Sequence, residues 1–240
     1  GGCAGACLVA ALKDGYTCRA LVRTPSKLTA ALNTQGLSES LLGNLEIIQG
    51  NAKDIQAVKT LLQTPTGIVD TIVFGVGAAP QLRFHIIPFT LDDTEICRTA
   101  MATLLSALDE LKAATKPRLL AISTTGITEG PRDVPLLYVP LYHWLLHIPH
   151  IDKRVMEQLV CMQRQKPAVE RTIGEFAIVR PTLLMDGNGV GVAKVRYGLE
   201  SNPALGWTID RKDVGNWLFE KGVKPATLGE FKDQAISLTA

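Results

Sequence analysis

The 240-residue chain is nearly balanced in charge, with a net charge of +2 and a pI near 8.3. It has no run of about five or six basic residues and no basic patch with an aromatic stripe, so we expect no nucleic-acid-binding face. No stretch approaches about 18 uninterrupted apolar residues, which argues against a membrane span. The five cysteines are scattered without zinc or disulfide spacing, and this pattern is typical of a reducing, cytoplasmic setting.

The chain opens on a glycine segment, residues 1–9, in which Gly2 and Gly5 have the spacing of the second and third glycines of a dinucleotide-binding loop. Such glycines let a pyrophosphate approach the backbone N–H groups at a helix N-terminus. We expect a first helix over 5–14, with Ala6 in its first turn, and a strand with the first glycine ahead of the segment. A turn that only packs a helix on a sheet is the alternative.

A basic turn, formed by Arg23 and Lys27, follows a strand predicted over 17–22. In a nucleotide-binding sheet the group that contacts the adenosine ribose lies at the carboxyl end of this strand. Two cations there suit a 2′-phosphate, which favours NADP(H) over NAD(H). An ordinary solvated basic turn is the alternative.

The remaining predicted elements alternate along the chain. Strands are predicted over 45–49, 68–74, 118–122, 176–181 and 235–239, and helices over 55–63, 92–114, 152–165 and from about Asp213. This rhythm predicts right-handed βαβ units and an α/β, Rossmann-type doubly wound parallel sheet that lacks its first strand. We expect a single NAD(P)-binding domain over 1–240, with substrate-side segments near 126–150 and 182–208. The turn 186–191 is expected to be flexible.

Short motifs lie at the predicted strand ends and helix starts over nearly the whole chain. They are the glycine segment, Arg-x-Pro-x-Lys-Leu from Arg23, Gly-Asn-x-x-Asp from Gly50, Ser-Thr-Thr-Gly from Ser123, Asp-Lys-x-x-x-Glu from Asp152, Val-Arg-Pro-Thr from Val179 and Ile-Asp-Arg-Lys-Asp-Val from Ile209. In this order the chain resembles the NmrA-like atypical short-chain dehydrogenase/reductases. It is most similar to fungal NAD(P)-binding proteins of that group, which carry a similar Leu-Tyr-His-Trp-Leu-Leu-x-x-Pro-His-x-Asp-Lys block, here starting at Leu141. A second resemblance, through the helix start and the Asp-Val-Gly segment, is to flavin reductases of the biliverdin reductase B type.

The resemblance implies a nicotinamide cofactor bound at the strand ends. It implies that Arg23 meets the 2′-phosphate, that Asn51 or Ala52 meets the adenine, and that the Gly75 turn meets the ribose-phosphate side. It also implies that residues 181–183 lie against the nicotinamide, and that Arg211 and Asp213 fix the last helix structurally rather than taking part in the chemistry. The predicted cofactor residues are Gly2, Gly5, Ala6, Arg23, Lys27, Asn51, Ala52, Gly75, Val76, Gly77, Lys153, Pro181, Thr182 and Leu183.

The usual Tyr-x-x-x-Lys pair of short-chain reductases is incomplete. Lys153 stands where the lysine belongs, but the residue four positions before it is Pro149, which removes the usual tyrosine proton donor. As an alternative, Lys153 is an exposed helix lysine paired with Glu157 at i+4.

Other side chains could complete the catalytic set. Ser123 or Thr124 can supply the strand-end hydroxyl, and His150, Tyr138 or Tyr142 can approach as a proton donor. The alternatives are a helix-terminal surface histidine and an ordinary packing tyrosine.

His143, His147 and His150 have i, i+4, i+7 spacing, which on an unbroken helix would place three possible metal ligands on one face. Pro149 interrupts the predicted helix before the third histidine, and no carboxylate or cysteine nearby completes the set, so no metal is predicted. The apolar segment 136–148 is expected to form either a lid over the substrate end or a homo-oligomer contact.

Two functions remain. The first is an NADPH-dependent reductase of a small carbonyl, quinone or flavin substrate. Without the tyrosine, flavins and quinones gain weight, because hydride transfer needs mainly apposition to the nicotinamide and solvent can protonate the product. The alternative is a non-catalytic NADP(H)-binding redox-sensing regulator, as NmrA itself is, with a regulatory protein partner.

Overall fold

The computed structural model describes residues 1–77, 93–140 and 146–240, together with the backbone of two short strands between the first two ranges. The described helices are α1 (Gly2–Lys13), α2 (Pro25–Thr34), α3 (Glu39–Leu42), α4 (Ile55–Leu62), α5 (Ile96–Leu111), α6 (His147–Gln165) and α7 (Arg211–Trp217). The described strands are β1 (Cys18–Val22), β2 (Leu45–Gln49), β3 (Gln63–Thr64), β4 (Gly67–Ile68), β5 (Thr71–Phe74), β6 (Pro80–Leu82), β7 (Phe89–Leu91), β8 (Arg118–Ile122), β9 (Glu175–Pro181), β10 (Leu183–Met185), β11 (Arg196–Leu199), β12 (Thr208–Asp210) and β13 (Gln234–Thr239).

The central sheet has five strands in the order β11-β13-β9-β8-β5. The strands β5, β8, β9 and β13 are parallel, and β11 is antiparallel at one edge. A separate parallel pair is formed by β1 and β2. The predicted α/β fold with a mostly parallel sheet is therefore confirmed, and the antiparallel edge strand is an addition to it.

The β1–β2 pair is not hydrogen-bonded to the central sheet. Among the described residues no strand lies between β1 and β5, which is where the strand predicted ahead of the glycine segment would run. All five residues of β1 are half-buried, whereas all five of β8 are buried. In the part of the chain that the structure describes, β1 pairs only with β2. We call this gap between β1 and β5 the slot.

Alternating side chains of the strands divide the core between the two faces of the central sheet. In β8, Leu119 and Ala121 pack with α4, α5 and α6, whereas Leu120 and Ile122 pack with α1 and α7. Helices thus cover both faces, as the doubly wound prediction requires. A smaller apolar cluster of Val9, Leu12, Leu32 and Leu37 joins α1 to α2 and to the chain after it.

A glycine on α7 brings that helix against α1. A Cβ at Gly215 would lie 2.4 Å from Ala6 Cβ, 2.5 Å from Cys3 O and 2.6 Å from Cys7 N. Two of these atoms are backbone and cannot rotate away. Only a residue without a side chain therefore allows this approach, which places the start of α7 beside the start of α1.

Arg118, at the amino end of β8, is a buried clamp. Its guanidinium donates to Gly222 O at 2.7 Å, to Pro225 O at 2.8 Å and to Ala226 O at 2.7 Å. It also pairs with the carboxylate of Glu175 at 2.6 Å. The chain that follows α7 is thereby fixed to the amino end of β8, on the side of the sheet opposite the strand carboxyl ends.

Two predicted helix starts are wrong. The first helix begins at Gly2 rather than Gly5, so both glycines lie within α1. The helix α6 begins at His147 rather than Asp152 and includes Pro149. Proline is tolerated in a first helical turn, where its missing N–H has no intrahelical acceptor, so the predicted interruption at this proline does not occur.

Two predictions for strands and turns also need correction. The predicted strand 68–74 is divided, because β4 folds back on β3 as an antiparallel pair and β5 starts only at Thr71. The turn 186–191, predicted to be flexible, is anchored by carboxylates. The Gly189 N–H donates to Asp210, and the N–H groups of Val190 and Gly191 donate to Asp213. Asp213 therefore fixes this turn.

Candidate functional site

The candidate site is a cavity of about 2420 Å³ that begins at the strand carboxyl ends and continues through the slot. Ligands of open α/β sheets bind outside the strand carboxyl ends, where the strand order reverses. Twelve of the predicted site residues line this cavity: Gly2, Gly5, Ala6, Arg23, Lys27, Asn51, Ala52, Gly75, Val76, Gly77, Ser123 and Lys153. Thr124, His150, Pro181, Thr182 and Leu183 do not line it, and Tyr142 lies outside the described residues.

The N-terminus of α1 sits directly on the end of β5. A Cβ at Gly75 would lie 2.6 Å from Ala4 Cβ, and a Cβ at Gly1 would lie 3.0 Å from Gly75 O. A Cβ at Gly2 would lie 2.6 Å from Cδ of Arg211. These contacts bring the helix N-terminus, with its outward N–H groups, into the cavity.

Gly5 differs from Gly1, Gly2 and Gly75 in the space around it. A Cβ there would meet nothing within 4 Å, because its side of α1 faces the cavity. In a complete nucleotide-binding unit this glycine permits close packing of helix against strand. Its open surroundings agree with the slot beside β1.

The basic turn lies at the carboxyl end of β1. Arg23 and Lys27 are exposed, and neither pairs with a carboxylate of another described residue. Asn51 follows the neighbouring strand β2, and its side chain accepts from the Lys53 N–H at 3.1 Å. Two cations and a fixed amide therefore border one end of the cavity.

Lys153, on α6, joins the ends of two strands. Its Nζ donates to Val76 O at 3.0 Å and to Ile122 O at 2.7 Å. The alternative pairing with Glu157 does not occur, since that carboxylate binds Arg180 instead. Lys153 is thus a fixed cation at the mouth of the cavity.

Ser123 directly follows Ile122, whose carbonyl accepts from Lys153, and it carries the hydroxyl that is nearest in sequence to this contact. It follows β8 directly, and its backbone N–H donates to Val179 O at 2.7 Å. The residue is 5% exposed, and its Oγ has no hydrogen-bond partner among the described residues. The neighbouring Thr124 instead donates its hydroxyl to Thr125 O at 3.2 Å. A buried hydroxyl without a partner is costly, which suits a position that a ligand completes.

His150 and Tyr138, the predicted proton donors that the structure describes, do not line the cavity. His150 is in the first turn of α6 and is buried rather than on the surface. Tyr138, the other tyrosine near this end, packs edge-on against Trp207 with ring centroids 4.9 Å apart. Thr182, predicted beside the nicotinamide, shares a 3.3 Å hydrogen bond with Thr239.

The structure also shows a buried polar group that the sequence analysis missed. Arg180 forms a two-point contact with Glu157, with Nε–Oε1 at 3.0 Å and Nη2–Oε2 at 2.5 Å, and reaches Glu200 at 2.8 Å. Nearby, Asp133 is 2% exposed and accepts from the Gly126 N–H at 2.9 Å. Burial raises the pKa of this carboxyl. Glu157 and Arg180 both belong to motifs of the sequence, but nothing in the spacing of those motifs shows that the two side chains form an ion pair.

Within residues 1–77, 93–140 and 146–240, no three His, Cys, Asp or Glu side chains form a metal-binding group, and His143 lies outside those ranges. All five cysteines are free thiols. No described helix combines the length and apolarity needed to cross a membrane.

Comparisons with known proteins agree with this geometry. A family model described as NAD(P)H-binding matches residues 1–221. The reductase pytE of Aspergillus terreus is 43% identical over 249 residues, covering 100% of this chain and 94% of that protein. The oxidase pynE of Aspergillus niger is 38% identical over 275 residues, covering 100% of this chain and 95% of that protein. A short-chain dehydrogenase/reductase from Veillonella parvula in complex with NADP superimposes with a TM-score of 0.68 at 12% identity, covering 98% of this chain and 88% of that one, which shows the fold alone.

Proposed function

The chain belongs to the NAD(P)H-binding family, and on that premise we propose that it binds NADP(H) and reduces a small carbonyl, quinone or flavin substrate. The observation that carries the proposal is one cavity that combines the helix N-terminus, the basic turn, Lys153 and Ser123. The predicted cofactor and catalytic residues outside this lining remain expectations. We also propose that the chain is related to the NmrA-like proteins or to the flavin reductases of the biliverdin reductase B type.

The residues of the cavity suit a dinucleotide with a 2′-phosphate. The N-terminus of α1 carries partial positive charge and free N–H groups, which suit a pyrophosphate. Arg23 and Lys27 are exposed cations without a carboxylate partner among the described residues, and would hold the 2′-phosphate. The unpartnered Ser123 hydroxyl marks the opposite, reactive end. The bound nicotinamide would supply the hydride.

The protein side of the chemistry is positioning rather than tyrosine acid catalysis. Lys153 can bind a ribose hydroxyl while two strand-end carbonyls hold its ammonium in place. Ser123 can donate its hydroxyl hydrogen to a substrate oxygen. Because Pro149 replaces the usual tyrosine, the proton reaches the product from solvent. This favours quinones and flavins, whose reduction depends mainly on apposition to the nicotinamide.

A non-catalytic, redox-sensing regulator of the NmrA type is the second candidate. The same substitution at Pro149 favours it, since binding needs no proton donor. The two functions differ in turnover and share the cofactor site.

The test is binding and oxidation of NADPH and NADH by the purified chain, with menadione, FMN and a short aliphatic aldehyde as acceptors. We expect NADPH oxidation with menadione or FMN. Arg23→Ala should weaken NADPH binding about tenfold or more and leave NADH binding unchanged, because only NADPH offers a phosphate to this charge. Arg164→Ala, which removes an exposed arginine at the end of α6, is the matched control. NADPH binding without turnover would refute the reductase and favour the non-catalytic regulator. Equal losses of NADPH and NADH affinity in Arg23→Ala would refute the 2′-phosphate assignment.

A further inference from the structure

Arg211, the first residue of α7, lies beside the N-terminus of α1. Its Cδ occupies the space where Gly2 would carry a side chain, and both residues line the cavity. The close packing at Gly215 fixes the two helices against each other in this arrangement. Burial raises the pKa of the Cys3 thiol to about 11, and the charge of Arg211 opposes that rise, so the guanidinium acts on the first turn of α1.

The only described carboxylate paired with Arg211 is a weakly bound one. Asp186 Oδ1 lies 2.8 Å from Nη1, and the side chains are 85% and 34% exposed, respectively. Exposed ion pairs of this kind contribute little, because water and salt screen them. The neighbouring carboxylates of Asp210 and Asp213 are occupied by backbone N–H groups of the turn 186–191. Arg211 can therefore exchange its partner without disturbing that turn.

We propose that Arg211 is a pyrophosphate-binding residue and that Asp186 competes with the pyrophosphate for its guanidinium. The inference rests on the proposed NADP(H) site. A guanidinium binds two phosphate oxygens through parallel N–H donors, and two negative charges attract it more strongly than one exposed carboxylate. Arg211 then adds a fixed cation to the helix N-terminus, which would otherwise meet the pyrophosphate with N–H groups alone.

Substitutions of Arg211 and of the basic turn should affect the binding of the two dinucleotides differently. The pyrophosphate is common to NADPH and NADH, so Arg211→Ala should weaken both by the same factor, about tenfold. Arg23→Ala should weaken NADPH alone. Asp186→Asn removes the competitor and should strengthen both dinucleotides by about two- to threefold, the range of an exposed ion pair. This gain in affinity is a result that a merely structural role for Asp186 would not give.

The experiment titrates the whole chain and its variants with NADPH, NADH and inorganic pyrophosphate by isothermal calorimetry. Arg164→Ala and Asp109→Asn remove exposed charges elsewhere and serve as matched controls. Urea unfolding of each variant shows whether it is folded, and Arg211→Lys keeps the charge if Arg211→Ala does not fold. Arg211→Lys should retain only part of the affinity for both dinucleotides, because lysine keeps the positive charge but lacks the forked N–H donors of arginine.

The outcomes separate this inference from the proposed function. Equal losses for both dinucleotides in Arg211→Ala, with a gain in Asp186→Asn, support it. Wild-type affinity in Arg211→Ala, or a loss in Asp186→Asn, overturns it while the NADP(H) site stands. If the unsubstituted chain binds neither dinucleotide, the proposed function and this inference both fail.

Discussion

The contact between α1 and α7 gives a test of the packing that positions the site. Gly215→Ala would place a methyl group 2.4–2.6 Å from Ala6 Cβ and from two backbone atoms of α1. Contacts this short force the helices apart, and overpacking of this kind costs about 1–3 kcal/mol. The better helix propensity of alanine returns about 0.5–1 kcal/mol. We therefore expect a net loss of about 0.5–2 kcal/mol in the free energy of unfolding.

Gly5→Ala is the matched control, since it makes the same change on α1 where a Cβ meets nothing within 4 Å. It should stabilise the chain by about 0.5–1 kcal/mol. Urea unfolding followed by circular dichroism measures both variants, and a melting temperature changes by about 2–4 °C per kcal/mol in a chain of this size. Ala6→Gly should recover part of the loss in Gly215→Ala, because the two backbone contacts remain. If Gly215→Ala proves as stable as Gly5→Ala, the close approach of the helices is wrong.

Three further predictions concern the buried polar groups and thiols. Arg118→Met leaves three carbonyls and Glu175 without their donor. Urea unfolding should show a loss of about 3–5 kcal/mol, whereas the affinity for NADPH should not change, and wild-type stability would contradict the clamp. Burial raises the pKa of Asp133 above its ordinary value of 3.8, so the unfolded chain loses this proton first. Stability relative to Asp133→Asn should therefore fall as the pH rises above 3.8 and level off above the folded-state pKa, and a difference independent of pH would count against this. Burial raises the pKa of the Cys7 thiol to about 12, so Ellman's reagent should label the exposed Cys161 well before Cys7, and early labelling of Cys7 would refute the buried packing of α1.

The sequence predicts the sheet best where local patterns are strong. The apolar runs of β2 and β8 begin and end at the predicted residues. The periodicity could not show that Pro149 lies inside a helix, because a proline in the first turn leaves the same local pattern as one that ends a helix. The division of the predicted strand 68–74 depends on β3, which pairs with β4. Strands this short have no recognisable pattern of alternating side chains, so the sequence does not predict them.

For the candidate site, the sequence identifies residues at strand ends but not their partners. The basic turn and Lys153 follow from position along the chain, and the structure places them on one cavity. The contact of Arg211 with Gly2 joins residues far apart in sequence and depends on how closely α7 packs on α1. The pairing of Glu157 with Arg180 is also a property of the assembled sheet and helix.

The pair β1–β2 and the strand β8 of the central sheet differ in how deeply their residues are buried. Among the described residues the pair β1–β2 shares no ladder hydrogen bonds with the central sheet, and α1, α2 and α4 pack against it. Segments with fewer protected backbone hydrogen bonds open at lower free energy than the core, so amides of this pair should exchange with deuterium before those of β8. The pair carries Arg23 and Asn51, whereas Lys153 contacts Ile122 of β8. A dinucleotide bound to both would join a loosely attached adenosine half to a rigid nicotinamide half, and the amides of β1 should then exchange more slowly.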